Sequence, residues 1–325
     1  MKRKLGRSEI EVSALGLGCW AIGGPFGEGE DALGWGVIDI KEAVKALNTG
    51  IELGINFIDT ADVYGAGQSE RIIAQAVQGK REQVVIATKF GIVFNEETKQ
   101  VMGTNATPEY IFDACNASLK RLETDYIDLY QFHLNDYSLE GANTVRDTLE
   151  ELVSLGKIRT YGWSTDFVDR AKVFEKGENF SSVQHQMNVL DDANEMIRYC
   201  EDKDLASINR GPLAMGLLTG KYNVSSKFTD DDVRGDNSPS WMQYFQDGKA
   251  NPIWLDRFES IKEILSSDGR TVGQGALAWL LGRSESTLPI PGFKNAEQVK
   301  QNCSVLDYGP LTKSQIEEID KLLDR

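Results

Sequence analysis

The sequence predicts an α/β chain that folds as a (β/α)8 TIM barrel, with an N-terminal β-hairpin closing the barrel floor. Eight short apolar runs rich in β-forming residues alternate with amphipathic helical stretches along the 325 residues. No linker-like stretch or break in composition divides the chain, so we expect one domain over residues 1–325. Because such alternation requires parallel strands joined by helical crossovers, eight units in one domain are typical of a closed barrel.

The predicted elements begin with a hairpin formed by Lys2–Leu5 and Ile10–Val12. Barrel strands are predicted at Ala14–Cys19, Ile55–Asp59, Val84–Lys89, Ile127–His133, Ile158–Ser164, Ser182–Asn188, Leu205–Asn209 and Thr287–Pro291. Helices are predicted at Ile40–Leu53, Ser69–Val77, Pro108–Leu122, Leu139–Leu155, Val168–Glu175, Asn194–Asp202, Ile253–Leu265, Val272–Leu281 and Lys313–Leu323. An open doubly wound sheet is the alternative, but the glycines after the first strand lack the GxGxxG spacing of that fold.

The segment from Asn223 to Asn251 is longer than an ordinary connection between a strand and a helix. It is rich in Asp, Ser and Gly and contains Trp241, Tyr244 and Phe245. We interpret it as an active-site loop, and a solvated insertion without a function is the alternative.

The charge balance argues against nucleic acid and membranes as partners. The chain has 35 Lys and Arg against 50 Asp and Glu, so its net charge of −15 repels phosphate backbones and anionic lipids. No apolar run reaches the roughly 20 residues of a membrane helix, and residues 1–13 lack the apolar centre of a signal peptide. We expect a cytoplasmic protein whose four scattered cysteines are reduced and mostly buried. The oligomeric state is left open.

Four polar side chains fall at or just beyond the ends of consecutive predicted strands. Asp59, Lys89 and His133 end the second, third and fourth strands, and Tyr64 follows Asp59 in the loop DTADVYG. Residues at these strand ends build the active site of a barrel. Lys89 could lower the pKa of the weakly acidic Tyr64 phenol by stabilising its phenolate, with Asp59 as the counter-charge of the ammonium. His133 could direct a substrate oxygen to the phenol, so the group is interpreted as a proton donor aimed at a carbonyl.

These residues resemble the aldo-keto reductase family, in the branch that contains bacterial reductases and potassium-channel β-subunits. The segments FIDTADVYG, IATKFG and LYQFH match the family's Asp, Tyr, Lys and His tetrad. RGPLAMGLLTGKY and PIPGFKNAEQVKQN are similar to its pyrophosphate loop and adenosine phosphate segment. The resemblance implies a barrel that binds NADPH and reduces aldehydes or ketones, with Tyr64 as the acid and without a metal.

The resemblance also implies a set of cofactor contacts. Those near the nicotinamide are Trp20, Asp59, Ser164, Thr165, Gln184 and Arg210. Those near the pyrophosphate are Gly211, Pro212, Leu213, Gly216 and Lys221, with Arg234 of the long loop as a clamp. Those at the adenosine end are Gly292, Lys294, Gln298 and Asn302. Lys294 is the expected partner of a 2′-phosphate, and a solvated loop cation is the equal alternative.

Three positions depart from the family pattern. Thr165 replaces the usual Asn after Ser164, which removes an amide partner of the nicotinamide carboxamide. Arg210 replaces a stacking aromatic residue, and its charge should disfavour NADP+ relative to NADPH. Gln298 replaces an Arg that many members have, so cation support for a 2′-phosphate is thin. NADPH is the expected cofactor, with NADH as the alternative.

The substrate is expected to be a neutral aldehyde or ketone, such as an aryl or α-dicarbonyl compound, because no cluster of cations accompanies the tetrad. An aromatic pocket around the carbonyl could be formed by Trp20, Phe26, Phe90 and either Tyr244 or Phe245, and a packing role for these residues is the equal alternative. Two alternatives to a reductase stay open. One is an NADPH-binding regulatory or redox-sensing barrel with slow turnover, and the other is a Schiff-base aldolase that uses Lys89 as its nucleophile.

Overall fold

Eight parallel strands form a nearly closed barrel in the structure, a computed structural model that describes residues 1–27, 33–229, 231–236 and 238–325. The described strands are β1 (Lys2–Lys4), β2 (Glu11–Ser13), β3 (Gly16–Gly18), β4 (Phe57–Asp59), β5 (Val85–Phe90), β6 (Ile92–Phe94), β7 (Val101–Thr104), β8 (Ile127–Phe132), β9 (Ile158–Ser164), β10 (Phe180–Gln186), β11 (Ala206–Arg210), β12 (Phe245–Gln246), β13 (Lys249–Ala250) and β14 (Thr287–Pro289). The barrel order is β3, β4, β5, β8, β9, β10, β11 and β14. The Gly18 N–H donates to the Pro291 carbonyl over 3.0 Å and joins the two sheet edges. The predicted (β/α)8 barrel is confirmed.

The helices alternate with the barrel strands and form the outer layer. They are α1 (Ile40–Glu52), α2 (Gln68–Val77), α3 (Pro108–Leu122), α4 (Leu139–Ser154), α5 (Val168–Phe174), α6 (Asn194–Asp202), α7 (Pro252–Leu265), α8 (Val272–Arg283), α9 (Ala296–Cys303), α10 (Val305–Tyr308) and α11 (Lys313–Leu322). Each helix predicted from the sequence is found, with ends that differ by at most two residues. For example, α3 starts after Thr107, whose hydroxyl accepts from the Tyr110 N–H over 3.3 Å.

The sequence does not predict α9, α10 or the antiparallel pairs β6–β7 and β12–β13. Only Gly91 separates β6 from β5, so the two strands form one run in the sequence. Asn295 caps α9 by accepting from the Gln298 N–H over 2.9 Å, inside a segment that we interpreted only as a cofactor loop.

The N-terminal hairpin closes one end of the barrel, as predicted. Strand β1 pairs antiparallel with β2, and Lys2 lies opposite Ser13. Its apolar side chains Leu5, Ile10 and Val12 are buried in one cluster with residues of the barrel interior, namely Phe57, Val85, Ala87, Leu129, Ala206, Ile208, Leu288 and Ile290. The hairpin therefore completes the core on the side opposite to the C-terminal strand ends.

The four cysteines (Cys19, Cys115, Cys200 and Cys303) are buried and carry free thiols, as expected from their scattered positions. Across the described residues, no helix has both the length and the apolar character needed to cross a bilayer.

Candidate active site

The four predicted tetrad residues meet at the C-terminal ends of β4, β5 and β8. The Lys89 Nζ donates to Asp59 Oδ2 over 2.7 Å, to the Thr60 carbonyl over 2.7 Å and to the Tyr64 hydroxyl over 3.5 Å. The rings of Tyr64 and His133 lie edge to face with centroids 6.0 Å apart. Parallel strands in register bring these residues together, because Asp59 on β4 is paired with Ala87 on β5 and Lys89 with Gln131 on β8.

The loop that carries Tyr64 is fixed by backbone hydrogen bonds. The Thr60 N–H donates to the Ala87 carbonyl over 2.8 Å, and the Asp62 N–H donates to the Lys89 carbonyl over 3.3 Å. Gly65 has φ of +61°, and a Cβ there would lie 1.9 Å from the Gly23 carbonyl oxygen. Only glycine allows this approach, so the turn after Tyr64 packs directly on the loop after β3.

Asp59 is held by two amide side chains as well as by Lys89. Its Oδ1 accepts from Gln131 Nε2 over 3.0 Å and from Gln184 Nε2 over 2.7 Å. Asp59 and Lys89 are almost completely buried, so this buried ion pair needs its additional hydrogen bonds. Burial is the largest single effect and opposes the charge of Lys89, but Asp59 and the Tyr64 hydroxyl together raise the pKa of the ammonium.

The pKa of Tyr64 departs from its ordinary value in the direction opposite to our expectation. Burial raises the pKa of the phenol, and the opposing effect of the Lys89 ammonium is smaller. The Asp59 carboxylate raises it further. Lys89 lowers the pKa of Tyr64, but burial raises that pKa by more, so the net shift is upward. A raised pKa keeps the phenol protonated at neutral pH, as a proton donor requires.

His133 is a neutral imidazole at neutral pH. Burial, together with the Lys89 and Arg210 charges, holds the pKa of His133 well below its ordinary value. Its Nδ1 is buried and has no hydrogen-bond partner among the described residues. His133 also lines the cleft beside Tyr64, so its ring lies where a ligand could enter.

A cleft of about 1360 Å³ opens next to these four residues. Its wall contains most of the predicted site residues, namely Trp20, Asp59, Tyr64, His133, Ser164, Gln184, Arg210, Gly211, Pro212, Leu213, Gly216, Lys221, Arg234, Gly292, Lys294, Gln298 and Asn302. Such a volume exceeds that of most drug-sized sites and suits an extended ligand together with a small one.

Thr165 is a predicted cofactor contact that the structure places away from the cleft wall. Its hydroxyl donates to the Asn135 carbonyl over 2.6 Å, and the residue is fully buried. Asn135 itself lines the cleft, where the sequence pattern does not predict it. Its Oδ1 accepts from the Asp166 N–H over 2.8 Å. Position 165 thus supports an amide-bearing residue from the neighbouring loop.

Arg234 has structural contacts in addition to its place in the cleft wall. Its guanidinium pairs with Asp232 over 2.8 Å and donates to the Met215 carbonyl over 3.2 Å and to the Tyr222 hydroxyl over 2.9 Å. Its Cζ lies 4.3 Å from the centre of the Phe228 ring. These contacts fix the long loop, described here apart from residues 230 and 237, to the segment after β11.

The expected aromatic pocket is only partly found. Trp20, Phe26 and Tyr244 line the cleft, whereas Phe90 and Phe245 lie in the core and do not. Phe90 packs on Tyr130 with ring centroids 4.5 Å apart. Side chains alternate along a strand, so Phe90 must point away from the barrel interior that Lys89 faces. The described cleft wall also contains residues that the sequence pattern missed, among them Trp35, Ile92, Val101 and the half-exposed Trp241.

Comparison with known proteins identifies the family. The Aldo/keto reductase family matches residues 14–324. The chain is 31% identical over 295 residues to aldo-keto reductase YhdN of Bacillus subtilis (strain 168), which covers 90% of this chain and 84% of that protein. It is 32% identical over 329 residues to the NADH-specific methylglyoxal reductase of Escherichia coli (strain K12), and the match covers 94% of this chain and 93% of that protein.

Solved structures agree. The holo form of aldo-keto reductase AKR11C1 from Bacillus halodurans superposes with a TM-score of 0.80 at 28% identity, covering 99% of this chain and 95% of that one. An aldo/keto reductase from Klebsiella pneumoniae in complex with NADP and acetate superposes with a TM-score of 0.71 at 25% identity, and the match again covers 99% of this chain and 95% of that one.

The chain belongs to the aldo-keto reductase family. It is an NAD(P)H-dependent oxidoreductase that acts on small carbonyl compounds. Nothing in the comparisons favours the alternative of a regulatory barrel. Within the described part of the chain, no group of three or more His, Cys, Asp and Glu side chains is arranged to hold a metal ion.

The cleft of this aldo-keto reductase fits a nicotinamide dinucleotide. Gly216, with φ of +97°, leaves the wall after β11 without a side chain, so backbone amides can approach a pyrophosphate. The Lys221 and Lys294 ammonium groups supply positive charge along the same wall. The residues present therefore match an anionic, extended cofactor in spite of the net charge of −15.

Proposed function

We propose that this enzyme uses NADPH to reduce neutral aldehydes and ketones to alcohols, with Tyr64 as the general acid. One observation carries the proposal. The Lys89 ammonium lies 2.7 Å from Asp59 Oδ2 and 3.5 Å from the Tyr64 hydroxyl, beside a cleft large enough for cofactor and substrate together.

When bound, the reduced nicotinamide supplies a hydride to the carbonyl carbon. The Tyr64 hydroxyl gives its proton to the carbonyl oxygen, on which negative charge develops as the carbon is reduced. Lys89 stabilises the phenolate that remains, and Asp59 keeps Lys89 charged and in place. His133, neutral and next to the Tyr64 ring, orients the carbonyl by a hydrogen bond. Holding both reactants in one cleft adds the advantage of proximity.

The cofactor is proposed to lie along the cleft from the tetrad to α9. Gln184 and Ser164 would hold the nicotinamide end, Gly211–Leu213 with Gly216 and Lys221 the pyrophosphate, and Gly292, Lys294, Gln298 and Asn302 the adenosine end. The loop at Lys294 is preformed, since the Lys294 N–H donates to Gln298 Oε1 over 2.7 Å. Lys294 supports a preference for NADPH, and NADH is the weaker alternative.

The substrate is proposed to be small and uncharged. Trp20, Phe26, Val63, Ile92 and Val101 form the cleft wall around Tyr64, and none carries a charge. The Escherichia coli relative is named for methylglyoxal, an α-dicarbonyl. We therefore place methylglyoxal and benzaldehyde in the first test panel.

The test is a steady-state assay that follows the absorbance of reduced nicotinamide with each carbonyl and each cofactor. We expect consumption of NADPH that depends on carbonyl concentration, with lower kcat/KM for NADH. Absence of consumption with every carbonyl would overturn the proposal. Borohydride added with a carbonyl should leave Lys89 unmodified, because its ammonium is buried and bonded to three oxygens. Labelled Lys89 would point instead to Schiff-base chemistry.

We also propose that the 325 residues form one domain that works in the cytoplasm. The first and last barrel strands, β3 and β14, are joined through the Gly18–Pro291 hydrogen bond, so no terminal part of the barrel can be detached without opening it. Four buried free thiols suit a reducing compartment.

A further inference from the structure

The antiparallel ribbon of β6 and β7, residues 92–104, forms one wall of the cleft. It follows β5 directly after Lys89 and Phe90. Its side chains Ile92, Phe94 and Val101 pack against the cluster of Phe26, Ala61 and Val63, next to Tyr64. Ile92 and Val101 also face the cleft. The position of this ribbon therefore sets the width of the space between its apolar side chains and the Tyr64 hydroxyl.

Glu96, in the turn of the ribbon, ties it to the helices behind Tyr64. One carboxylate oxygen, Oε1, accepts from Arg121 Nη1 of α3 over 2.8 Å. The other, Oε2, accepts from Arg71 Nη2 of α2. Both oxygens of one carboxylate are thus used to hold a turn that is otherwise exposed.

The contact continues from Arg121 into the barrel. Arg121 Nε donates to Glu70 Oε2 over 2.6 Å, and Glu70 Oε1 accepts from the Thr88 hydroxyl over 2.7 Å. Glu70 and Thr88 are fully buried, and Thr88 precedes Lys89 on β5. A continuous series of charge-assisted hydrogen bonds therefore links the ribbon to the strand that carries Lys89.

The two ends of this series differ in strength. Arg121 and Glu70 form a buried ion pair that does not involve Glu96, so we expect the pair and the fold to persist without Glu96. The side chains of Glu96 and Arg71 are 43% and 41% exposed, so their attraction is weakened by solvent and by salt. Loss of Glu96 should loosen the ribbon and leave the tetrad in place. The ribbon keeps two other contacts, since the Gly27 N–H donates to the Lys99 carbonyl over 2.9 Å and the Tyr110 hydroxyl donates to the Ile92 carbonyl over 3.2 Å.

We propose that Glu96 is a positioning residue for substrate specificity, which holds the ribbon against the Tyr64 loop and so fixes the width of the substrate pocket. This inference rests on the proposed function, because it takes the space between ribbon and Tyr64 as the place of the carbonyl substrate. Glu96 lies outside the cleft lining and acts through Ile92 and Val101, which are part of it.

The test compares Glu96→Gln with Glu97→Gln. Glu97 is the neighbouring exposed residue in the same turn. Its substitution changes the net charge by the same amount and at nearly the same place, but removes no contact to Arg71 or Arg121. For Glu96→Gln we expect KM for a compact aldehyde to rise roughly two- to five-fold. The kcat and the dissociation constant of NADPH should stay close to those of the unchanged protein. The KM for a bulky naphthyl aldehyde should rise less, so the ratio of kcat/KM values should shift in favour of the bulky aldehyde. Equal kinetics of the two variants would refute the inference.

Ionic strength provides a readout that a merely structural role would not move. With saturating NADPH and an uncharged aldehyde, KM of the unchanged enzyme should rise between low and high salt, while KM of Glu96→Gln should not. Parallel salt responses would count against the ion pair as the positioning contact.

Hydrogen exchange separates this inference from the proposed function. Amides of residues 92–104 should exchange faster in Glu96→Gln than in Glu97→Gln, whether or not a carbonyl is reduced. Faster exchange in a protein that reduces no carbonyl would sink the proposed function alone. Unchanged exchange in an active enzyme would sink the role of Glu96 alone.

Discussion

The Asp166 carboxylate pairs with the Arg210 guanidinium at the cleft, where β9 and β11 end. Gln186 Oε1 accepts from another guanidinium nitrogen over 3.3 Å. Arg210 therefore lies beside the tetrad with a counter-charge in place. Considered alone, the Arg210 charge should weigh against an oxidised nicotinamide, and the Asp166 carboxylate provides an opposite charge beside it.

We predict that Asp166→Asn weakens the binding of NADP+ more than that of NADPH. The amide keeps the bond to the Gln186 N–H, 2.7 Å long in the structure, but removes the charge that balances Arg210. Because both side chains are about one-third exposed, the dissociation constant of NADP+ should rise by no more than about five-fold. Titration of tryptophan fluorescence with each nucleotide measures the effect. Asp169→Asn, at an exposed pair with Arg170, is the control, and equal losses for both nucleotides would contradict the prediction.

Tyr64→Phe should reduce kcat at least about 100-fold, since it removes the proton donor. Binding of NADPH should stay near normal, because the ring and its contact with Trp20 are retained. Single-turnover reduction of benzaldehyde checks the loss directly. Tyr308→Phe, at an exposed tyrosine on α10, should behave as the unchanged enzyme. A Tyr64→Phe variant with normal turnover would exclude Tyr64 as the acid.

Lys294→Ala should raise the dissociation constant of NADPH about ten-fold or more and change that of NADH little, since a charge-assisted bond to the 2′-phosphate is lost. Lys221→Ala provides the comparison. Because a pyrophosphate is common to NADPH and NADH, this variant should bind both cofactors more weakly and to a similar degree. Isothermal titration calorimetry of the two variants with each cofactor measures these dissociation constants. If Lys294→Ala weakens both cofactors equally, the 2′-phosphate is bound elsewhere.

The free energy of unfolding should fall as pH decreases from 6.5 to about 4. Burial lowers the pKa of His185 from 6.5 to about 4, so in this window the unfolded chain binds a proton that the folded protein does not. His133, whose pKa is also lowered, acts in the same direction. At pH 4.5 the His185 share is roughly 2–3 kcal/mol. Urea denaturation of the unchanged protein and of His185→Gln at pH 7 and pH 4.5 should show a smaller loss for the variant. Identical losses would show that His185 is protonated in the folded state.

The barrel and its four central residues can be predicted because each rests on a local pattern. The runs around Asp59, Lys89 and His133 are short, apolar and followed by helical stretches, and parallel strands must bring their C-terminal ends to one edge. The convergence of Asp59 and Lys89 follows from topology alone and needs no knowledge of side-chain contacts.

Contacts between distant segments are a different matter. Asp166 and Arg210 are 44 positions apart, and no periodicity predicts their pairing. Trp35 reaches the cleft from the loop after β3, where the sequence has no regular pattern. Phe90 is an exception, because strand alternation next to Lys89 indicates a core position, which the expectation of a pocket residue overlooks. The resemblance places Thr165 at the cofactor, and its bond to the Asn135 carbonyl can be recognised only in three dimensions.

The burial of all four native sulfur atoms makes site-directed spectroscopy straightforward. Cys19, Cys115, Cys200 and Cys303 are 1%, 0%, 0% and 6% exposed, so a maleimide dye should leave the native chain unlabelled. A Glu97→Cys substitution would then carry the single reactive thiol, at the tip of the wall that faces Tyr64. A fluorophore or spin label attached there would report wall displacements during turnover without removal of any native cysteine.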